Sequence, residues 1–252
     1  MAGAGSRFAI KGYTTPKPLL PVFGKPMVIS AYNMLPGKGE PIFVVRTEHI
    51  NEYAIDKELQ KQLPDCKIVT VTGLTEGQAS TCLLAKDLIN NEEELMIGAS
   101  DNGMVYDAEA FEKVKSECDA IIFTFRNNPI VLANPKAHGW TKVDENNNIT
   151  QMLVKFDMPD PMNNHALVGA FWFKKGKYFV EAAERMVAQN RRINNEFYVD
   201  ECFTDLIQMG FKAKVFELKH YIGWGVPDDY ETFKYWEDFF HDMPFHPYKK
   251  KY

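Results

Sequence analysis

This sequence predicts an α/β fold: a Rossmann-like, doubly wound, mostly parallel sheet. Two observations carry that reading. Short apolar runs rich in β-branched and aromatic residues alternate with stretches of helical periodicity, and that order implies right-handed crossovers around a buried sheet. The chain has 252 residues, 45% of them hydrophobic and 13% aromatic, enough to bury a sizeable core. No repeat, low-complexity tract or linker divides it, so one domain over 1–252 is expected.

The elements come in order. Residues 41–46 (Pro-Ile-Phe-Val-Val-Arg) read as a buried strand. A helix over 51–63, a strand over 67–71 and a helix over 77–88 come next. Then come a strand over 94–99, a helix over 108–116 and a strand over 120–125. After residue 126 the character changes. Residues 127–135 and 144–148 are rich in turn formers. A strand is predicted over 168–173. A helix over 176–190 places Phe179, Ala182, Ala183, Met186 and Val187 on one face. A helix over 197–209, a strand over 213–218 and a helix after Pro227 complete the chain. In parallel sheets of this kind, ligands sit outside the carboxyl ends of the strands.

Composition narrows the function classes. A formal net charge of -5 argues against general nucleic-acid binding. No apolar run approaches the ~20 residues of a membrane span, and no signal-peptide pattern opens the sequence, so a cytoplasmic enzyme without membrane partners is expected. Cys66, Cys82, Cys118 and Cys202 form no CxxC pair, which suits free thiols in a reducing compartment better than a metal site. The six histidines are scattered without ligand spacing. The lysine-rich end, 248–252, reads as a solvated tail, or as a contact for an anionic partner.

The first 27 residues carry the strongest functional signal. Ala2-Gly3-Ala4-Gly5-Ser6-Arg7-Phe8 is a small-residue loop closed by an arginine. Without Cβ atoms at Gly3 and Gly5, backbone N–H groups can approach a polyphosphate closely. Arg7 offers a planar fork for phosphate oxygens, and Lys17 a compact point charge. Pro16 and Pro18 fix the backbone on both sides of Lys17, which predicts an extended segment there. The loop is neither GxGxxG nor a Walker sequence, and Gly3 and Gly5 alone would also suit a plain flexible loop.

The whole pattern, AGAGSRF followed by PKPLLPVFGKPM, resembles the signature of the nucleotidylyltransferases that activate sugar phosphates and related phosphomonoesters on a glycosyltransferase-A-like fold. Further matches recur along the chain, and the sequence looks similar to the capsule-biosynthesis enzymes of this family, among them cytidylyltransferases. The resemblance implies attack of an acceptor phosphate on the α-phosphorus of an NTP, CTP being favoured, with release of pyrophosphate and with Mg²⁺ as cofactor. Residues 1–126 would then mainly hold nucleotide, and a small β-rich portion within 127–252 the acceptor. It implies Arg7 and Lys17 as catalytic cations and Ala2, Gly3, Ala4, Gly5, Ser6 and Ser100 around the nucleotide. Asp101, at the end of the 94–99 strand, would hold the metal, although Asp-Asn-Gly is also good turn chemistry. Gly77 and Gln78 resemble the base-reading turn, although Thr75 and Gly77 can equally start a helix.

For the acceptor, the resemblance implies Lys155 at its phosphate, backbone at Gly169, and Asn195 or Glu196 at its polar groups. Asn194 or Asn195 can also cap the following helix, and Lys155 can be an ordinary strand lysine. Trp224 reads as packing or as a wall of the acceptor pocket.

Three departures stand out. A glutamate that grips sugar hydroxyls in relatives is Val154, with Phe156 where proline is common. The second metal-binding aspartate is replaced by Gly223. A short apolar strand precedes the loop in relatives, and residues upstream of Met1 completing it are the expectation here. A hexose-1-phosphate nucleotidylyltransferase and a catalytically inactive nucleotide-binding regulatory module remain alternatives, and the oligomeric state is open.

Overall fold

The computed structural model describes residues 3, 5–37 and 39–243. Ala2, Ala4 and the lysine-rich tail lie outside the described residues. In chain order the elements are α1 (Ser6–Ile10), a 3-10 turn (Lys17–Leu19), β1 (Pro21–Val22), β2 (Lys25–Pro26), α2 (Met27–Asn33), β3 (Ile42–Arg46), α3 (Thr47–Tyr53), α4 (Ile55–Gln62), β4 (Lys67–Val71), α5 (Gln78–Leu83) and α6 (Lys86–Ile89). After these come β5 (Leu95–Ile97), β6 (Asn102–Val105), α7 (Ala108–Lys115), β7 (Ala120–Phe125), α8 (Ile130–Ala133), a 3-10 turn (Pro135–Ala137), β8 (Trp140–Val143), β9 (Ile149–Leu153), β10 (His165–Phe173), α9 (Gly176–Ala188), α10 (Cys202–Gln208), β11 (Ala213–Glu217), β12 (His220–Gly223) and α11 (Pro227–Asp242).

The α/β class is as expected, and the sheet is mixed. In the six-stranded sheet β7 pairs in parallel with β11, while β3 and β4 pair in parallel as a separate two-stranded sheet. β5 and β7 both run antiparallel to β10, so β5, β7 and β11 share one direction with β10 reversed among them. Strand faces alternate as the pleat requires. Ile122, Phe171 and Phe173 pack with the face covered by α9 and α10. Ile121, Phe123 and Trp172 pack on the opposite face, against Phe111 of α7 and Phe216. Helices therefore cover both faces, as a sheet buried on both sides demands.

β10 carries the one sharp irregularity that matters for the site. Its first residues pair with β8 and its last with β5. The register slips between Leu167 and Phe171, where Gly169 sits at φ +85°. Such a bulge bends the strand, and glycine is the residue that takes this backbone without strain.

Several expectations are corrected. The 51–63 helix is two helices, broken where Ala54 adopts φ +49°, and the 77–88 helix is α5 and α6. The 197–209 helix shortens to α10, because Phe197 is held by main-chain bonds to Glu76 and Ala79. Asn194 and Asn195 cap nothing. Both lie in the left-handed region, in a turn closed by the Ile193–Glu196 bridge, a conformation asparagine tolerates. Lys17 is not extended: Pro16 is, and Lys17 opens a 3-10 turn in which Leu19 and Leu20 donate to the carbonyls of Pro16 and Lys17.

Candidate active site

The glycine loop is held by α1 and the segment after it. Gly5 stands in the left-handed region and its carbonyl accepts from Phe8 N–H at 3.1 Å. Phe8 is buried in an aromatic cluster with Tyr13, Trp224 and Tyr230, its ring 5.3 Å from Tyr13 and 6.0 Å from Tyr230. α11 then fastens the same segment: Lys11 pairs with Asp228 at 2.9 Å, and the Tyr230 hydroxyl donates to the Pro21 carbonyl at 2.9 Å. Early and late segments of the chain thus pack into one cluster. Trp224 is fully buried in this cluster, so it packs.

Lys17 and Asp101 meet across 84 residues of sequence, with Nζ 2.6 Å from Oδ2. Both side chains keep about a quarter of their surface, so the pair is accessible to a ligand. Asp101 stands beyond the carboxyl end of β5, where sheets of this kind bind ligands. Its carbonyl accepts from Trp224 N–H at 2.9 Å, and a Cβ at Gly225 would come within 3.1 Å of Oδ2. The β6–β12 pair sets Asn102 opposite Gly223. A Cβ at Gly223 would meet Ile130 at 3.2 Å and the Tyr221 hydroxyl at 3.3 Å, so the place of the second aspartate of relatives is crowded.

The Asp101 carboxylate is a hard oxygen donor of the kind Mg²⁺ takes, usually one or two per ion with phosphate oxygens and water completing the shell. Among the described residues no three His, Cys, Asp or Glu side chains gather to hold a metal ion. A single carboxylate beside a lysine fits an ion that arrives with its nucleotide.

The pair lines a cavity of about 1250 Å³. Residues of β3 and β5 line it, as do Gly3, Gly5, Gly77, Gln78, Glu196 and Tyr198. Ser100 joins them. Gly77 stands at φ +108°, and a Cβ there would fall 2.5 Å from the Phe197 carbonyl oxygen and 2.7 Å from its nitrogen. The turn around Gly77 therefore lies backbone to backbone against residues 196–197. Tyr198, missed by the motif reading, faces the cavity with Glu196. Burial and the Glu196 carboxylate push its phenol pKa up.

The remaining predicted residues sit apart from the Lys17–Asp101 pair. Ser6 and Arg7 are exposed on α1 and do not line the cavity. Lys155 takes φ +55°, donates to the Ala137 carbonyl at 3.2 Å, and stands 5.6 Å above the Tyr198 ring. It approaches the cavity only through Tyr198. Gly169 lies behind the wall, its missing Cβ 3.4 Å from Ala99, and the neighbouring Val168 carbonyl accepts from Asn102 at 2.7 Å. Asn195 is exposed, and its carbonyl accepts from Arg192 at 3.4 Å.

Sequence reasoning also missed Arg46 and His49. Arg46 ends β3 and lines the cavity, paired with Glu48, with its Nε buried and unpartnered. His49 lines it too, and burial, then the Arg46 charge, hold its pKa below the ordinary value. A basic residue at the carboxyl end of a parallel strand is the one signal that would have found them.

Among the described residues no helix is long and apolar enough to cross a membrane. In solved structures the fold recurs in the nucleoside-diphosphate-sugar pyrophosphorylase of Vibrio cholerae RC9. There the TM-score is 0.75 with 22% identity, over 92% of this chain and 97% of that one. It recurs in the inositol-1-phosphate CTP transferase of T. maritima, with TM-score 0.68 and 15% identity over 92% and 91%. The bifunctional sugar-1-phosphate nucleotidylyltransferase/acetyltransferase of Sulfurisphaera tokodaii is 28% identical over 162 residues, 63% of this chain and 36% of that protein. The chain spans less than two thirds of the length of the curated relatives it matches, 36% and 61%. The family model described as "Nucleotidyl transferase" matches residues 1–239, a span that includes every residue lining the cavity, and the chain belongs to that nucleotidyl transferase family.

Proposed function

We propose that this chain transfers the NMP unit of CTP to a small phosphorylated acceptor and releases pyrophosphate. Its role would be that of a cytoplasmic, Mg²⁺-dependent CTP:phosphoglutamine cytidylyltransferase in capsule or surface-polysaccharide precursor synthesis. The observation that supports the chemistry most is the Lys17–Asp101 pair in the wall of a cavity that also presents Gln78 on one segment and Glu196 and Tyr198 on another. Val154 and Phe156, where the sugar enzymes carry glutamate and proline, favour an acceptor other than a hexose phosphate. The structural neighbour from T. maritima is an inositol-1-phosphate CTP transferase.

In this reading an acceptor phosphate oxygen attacks the α-phosphorus, and the bond to the β-phosphate oxygen breaks as pyrophosphate leaves. Charge builds on the α-phosphoryl and the leaving group, so the protein's part is alignment and cationic stabilisation. Lys17, now against Asp101, would bind a phosphate oxygen, and the Asp101 carboxylate would hold Mg²⁺, which when bound would supply charge neutralisation at the phosphates. Backbone N–H groups of the 2–6 loop, with Ser6 and Ser100, hold the triphosphate. Arg7 meets it from the solvent side, and Gly77 and Gln78 face the base. Lys155 binds the acceptor phosphate. Glu196 and Asn195 take its polar groups, with Gly169 shaping the strand behind.

A second reading has equal support from relatives: a hexose-1-phosphate nucleotidylyltransferase with Glu196 as the residue that grips the sugar. The Sulfurisphaera tokodaii relative and the Vibrio cholerae structure carry sugar-nucleotide names. Pyrophosphate release measured with CTP, UTP and dTTP against phosphoglutamine, glucose 1-phosphate and inositol 1-phosphate separates the two. Turnover confined to CTP with phosphoglutamine upholds the first. UTP or dTTP with glucose 1-phosphate replaces it by the second. NTP binding without turnover of any pair removes both.

A further inference from the structure

We infer that Arg192 is a positioning residue that clips the base turn to the acceptor segment and so sets where the acceptor lies relative to the nucleotide. The inference rests on the nucleotidyltransfer reading above. Its guanidinium forks onto Glu76, with Nη1 2.7 Å from Oε1 and Nη2 3.1 Å from Oε2. The same group lies 4.3 Å above the Phe197 ring, which is buried in the core. Glu76 immediately precedes Gly77 and Gln78. Phe197 stands between Glu196 and Tyr198, whose side chains line the cavity. One planar cation therefore holds a residue from each side.

The backbone shows why such a clip has something to do. Phe197 N–H donates to the Glu76 carbonyl at 2.7 Å, and Ala79 N–H donates to the Phe197 carbonyl at 3.0 Å. Gly77 leaves no room for a Cβ between them. These bonds fix Phe197 alone. The turn before it, with Asn194 and Asn195 both left-handed, is tied by the Ile193–Glu196 bridge, by Arg192 on the Asn195 carbonyl, and by the hydrogen bond between the Glu196 carboxylate and the Tyr198 phenol. Glu196 is exposed at the end of that turn, so its placement depends on what steadies 193–196. A bidentate fork stacked on an aromatic ring restrains direction as well as distance, and lysine cannot reproduce it. Neither Arg192 nor Glu76 lines the cavity.

The test reads the acceptor Michaelis constant separately from that of the NTP. Pyrophosphate release is measured with whichever of the nine substrate pairs named above the wild type uses, in Arg192→Ala, Arg192→Lys, Glu76→Gln and the double variant R192A/E76Q. The expected result is an acceptor KM raised about fivefold or more in Arg192→Ala, the size of losing an ion pair and a cation–π contact together. The KM for the NTP stays within about twofold, Arg192→Lys recovers only part, and the double variant is no worse than Arg192→Ala. If Arg192→Ala does not fold, Glu76→Gln, which leaves the guanidinium over Phe197, must still raise the acceptor KM alone. An unchanged acceptor KM in the folded variants overturns the inference, as do two KM values that rise in step, which is general damage. A wild type that turns over no pair overturns the functional reading itself, a result distinct from an active wild type with indifferent variants.

Discussion

Replacing Asp200 by asparagine should stabilise the protein at pH 8 and do so far less at pH 4.5. Asp200 is 8% exposed. Its Oδ1 accepts from Glu201 N–H at 3.0 Å, and its Oδ2 lies 2.7 Å from where a Cβ at Gly139 would stand. Burial, above all, pushes its pKa from 3.8 up to about 7. The Glu201 charge adds to this, and the Glu201 N–H bond and the Lys155 charge oppose it. The sign comes from proton counting. Between the two values the folded state holds a proton that the unfolded chain has released, so stability falls as pH rises through that window. A difference of about 3 units at 1.36 kcal/mol each is roughly 4 kcal/mol of lost stability above pH 7, and about 1 kcal/mol at pH 4.5. Asparagine copies the neutral acid in shape, and whatever its amide costs beside Gly139 does not vary with pH. The gain from Asp200→Asn over wild type should therefore grow by about 3 kcal/mol between pH 4.5 and pH 8. Urea unfolding at both pH values and fixed ionic strength, with equal m values, measures it. A difference that stays flat with pH would refute the reasoning, because it would mean that the buried carboxyl ionises as easily in the folded chain as in the unfolded one.

Three further outcomes are expected. Lys17→Met and Asp101→Asn should each lower turnover by ~10²-fold or more, as removal of a transition-state electrostatic partner does; near-normal kcat in either variant would take that residue out of the mechanism. Gly77→Ala should destabilise by roughly 3 kcal/mol, because the new methyl meets the Phe197 backbone at 2.5 and 2.7 Å and φ is +108°; thermal melting checks it. Asp205 is fully buried beside Arg191 and Arg185, and Arg191 also pairs with Glu201, so Asp205→Asn should cost roughly 2 kcal/mol through loss of charge-assisted hydrogen bonds while Arg191 keeps Glu201, measured by denaturant unfolding against wild type.

Much of the fold can be read along the chain wherever local chemistry speaks. The predicted strands 67–71 and 120–125 match β4 and β7, and the 108–116 helix matches α7 within one residue. These segments combine β-branched or aromatic runs, or helical periodicity, with clear punctuation. β6 and β12 were not anticipated. Asn102, Gly103, His220 and Gly223 are weak strand formers, and their pairing joins residues more than a hundred positions apart. The shortening of the 197–209 helix has the same origin: Phe197 is helix-compatible by itself, and Glu76 and Ala79 claim its backbone.

By itself the sequence determined the α/β class, the order of the main elements, and the small-residue loop, prolines and strand-end aspartate that announce the family. Those features depend on neighbours a few residues away, which a linear pattern records. Only the tertiary structure decided that Lys17 is paired with Asp101, that Arg7 lies outside the cavity wall, that Arg46 and Tyr198 line it, and that Arg192 bridges Glu76 and Phe197, next to residues of the cavity wall. Each of those relations joins residues distant in sequence, and it exists only once packing has brought the strands' carboxyl ends and the closing helix together.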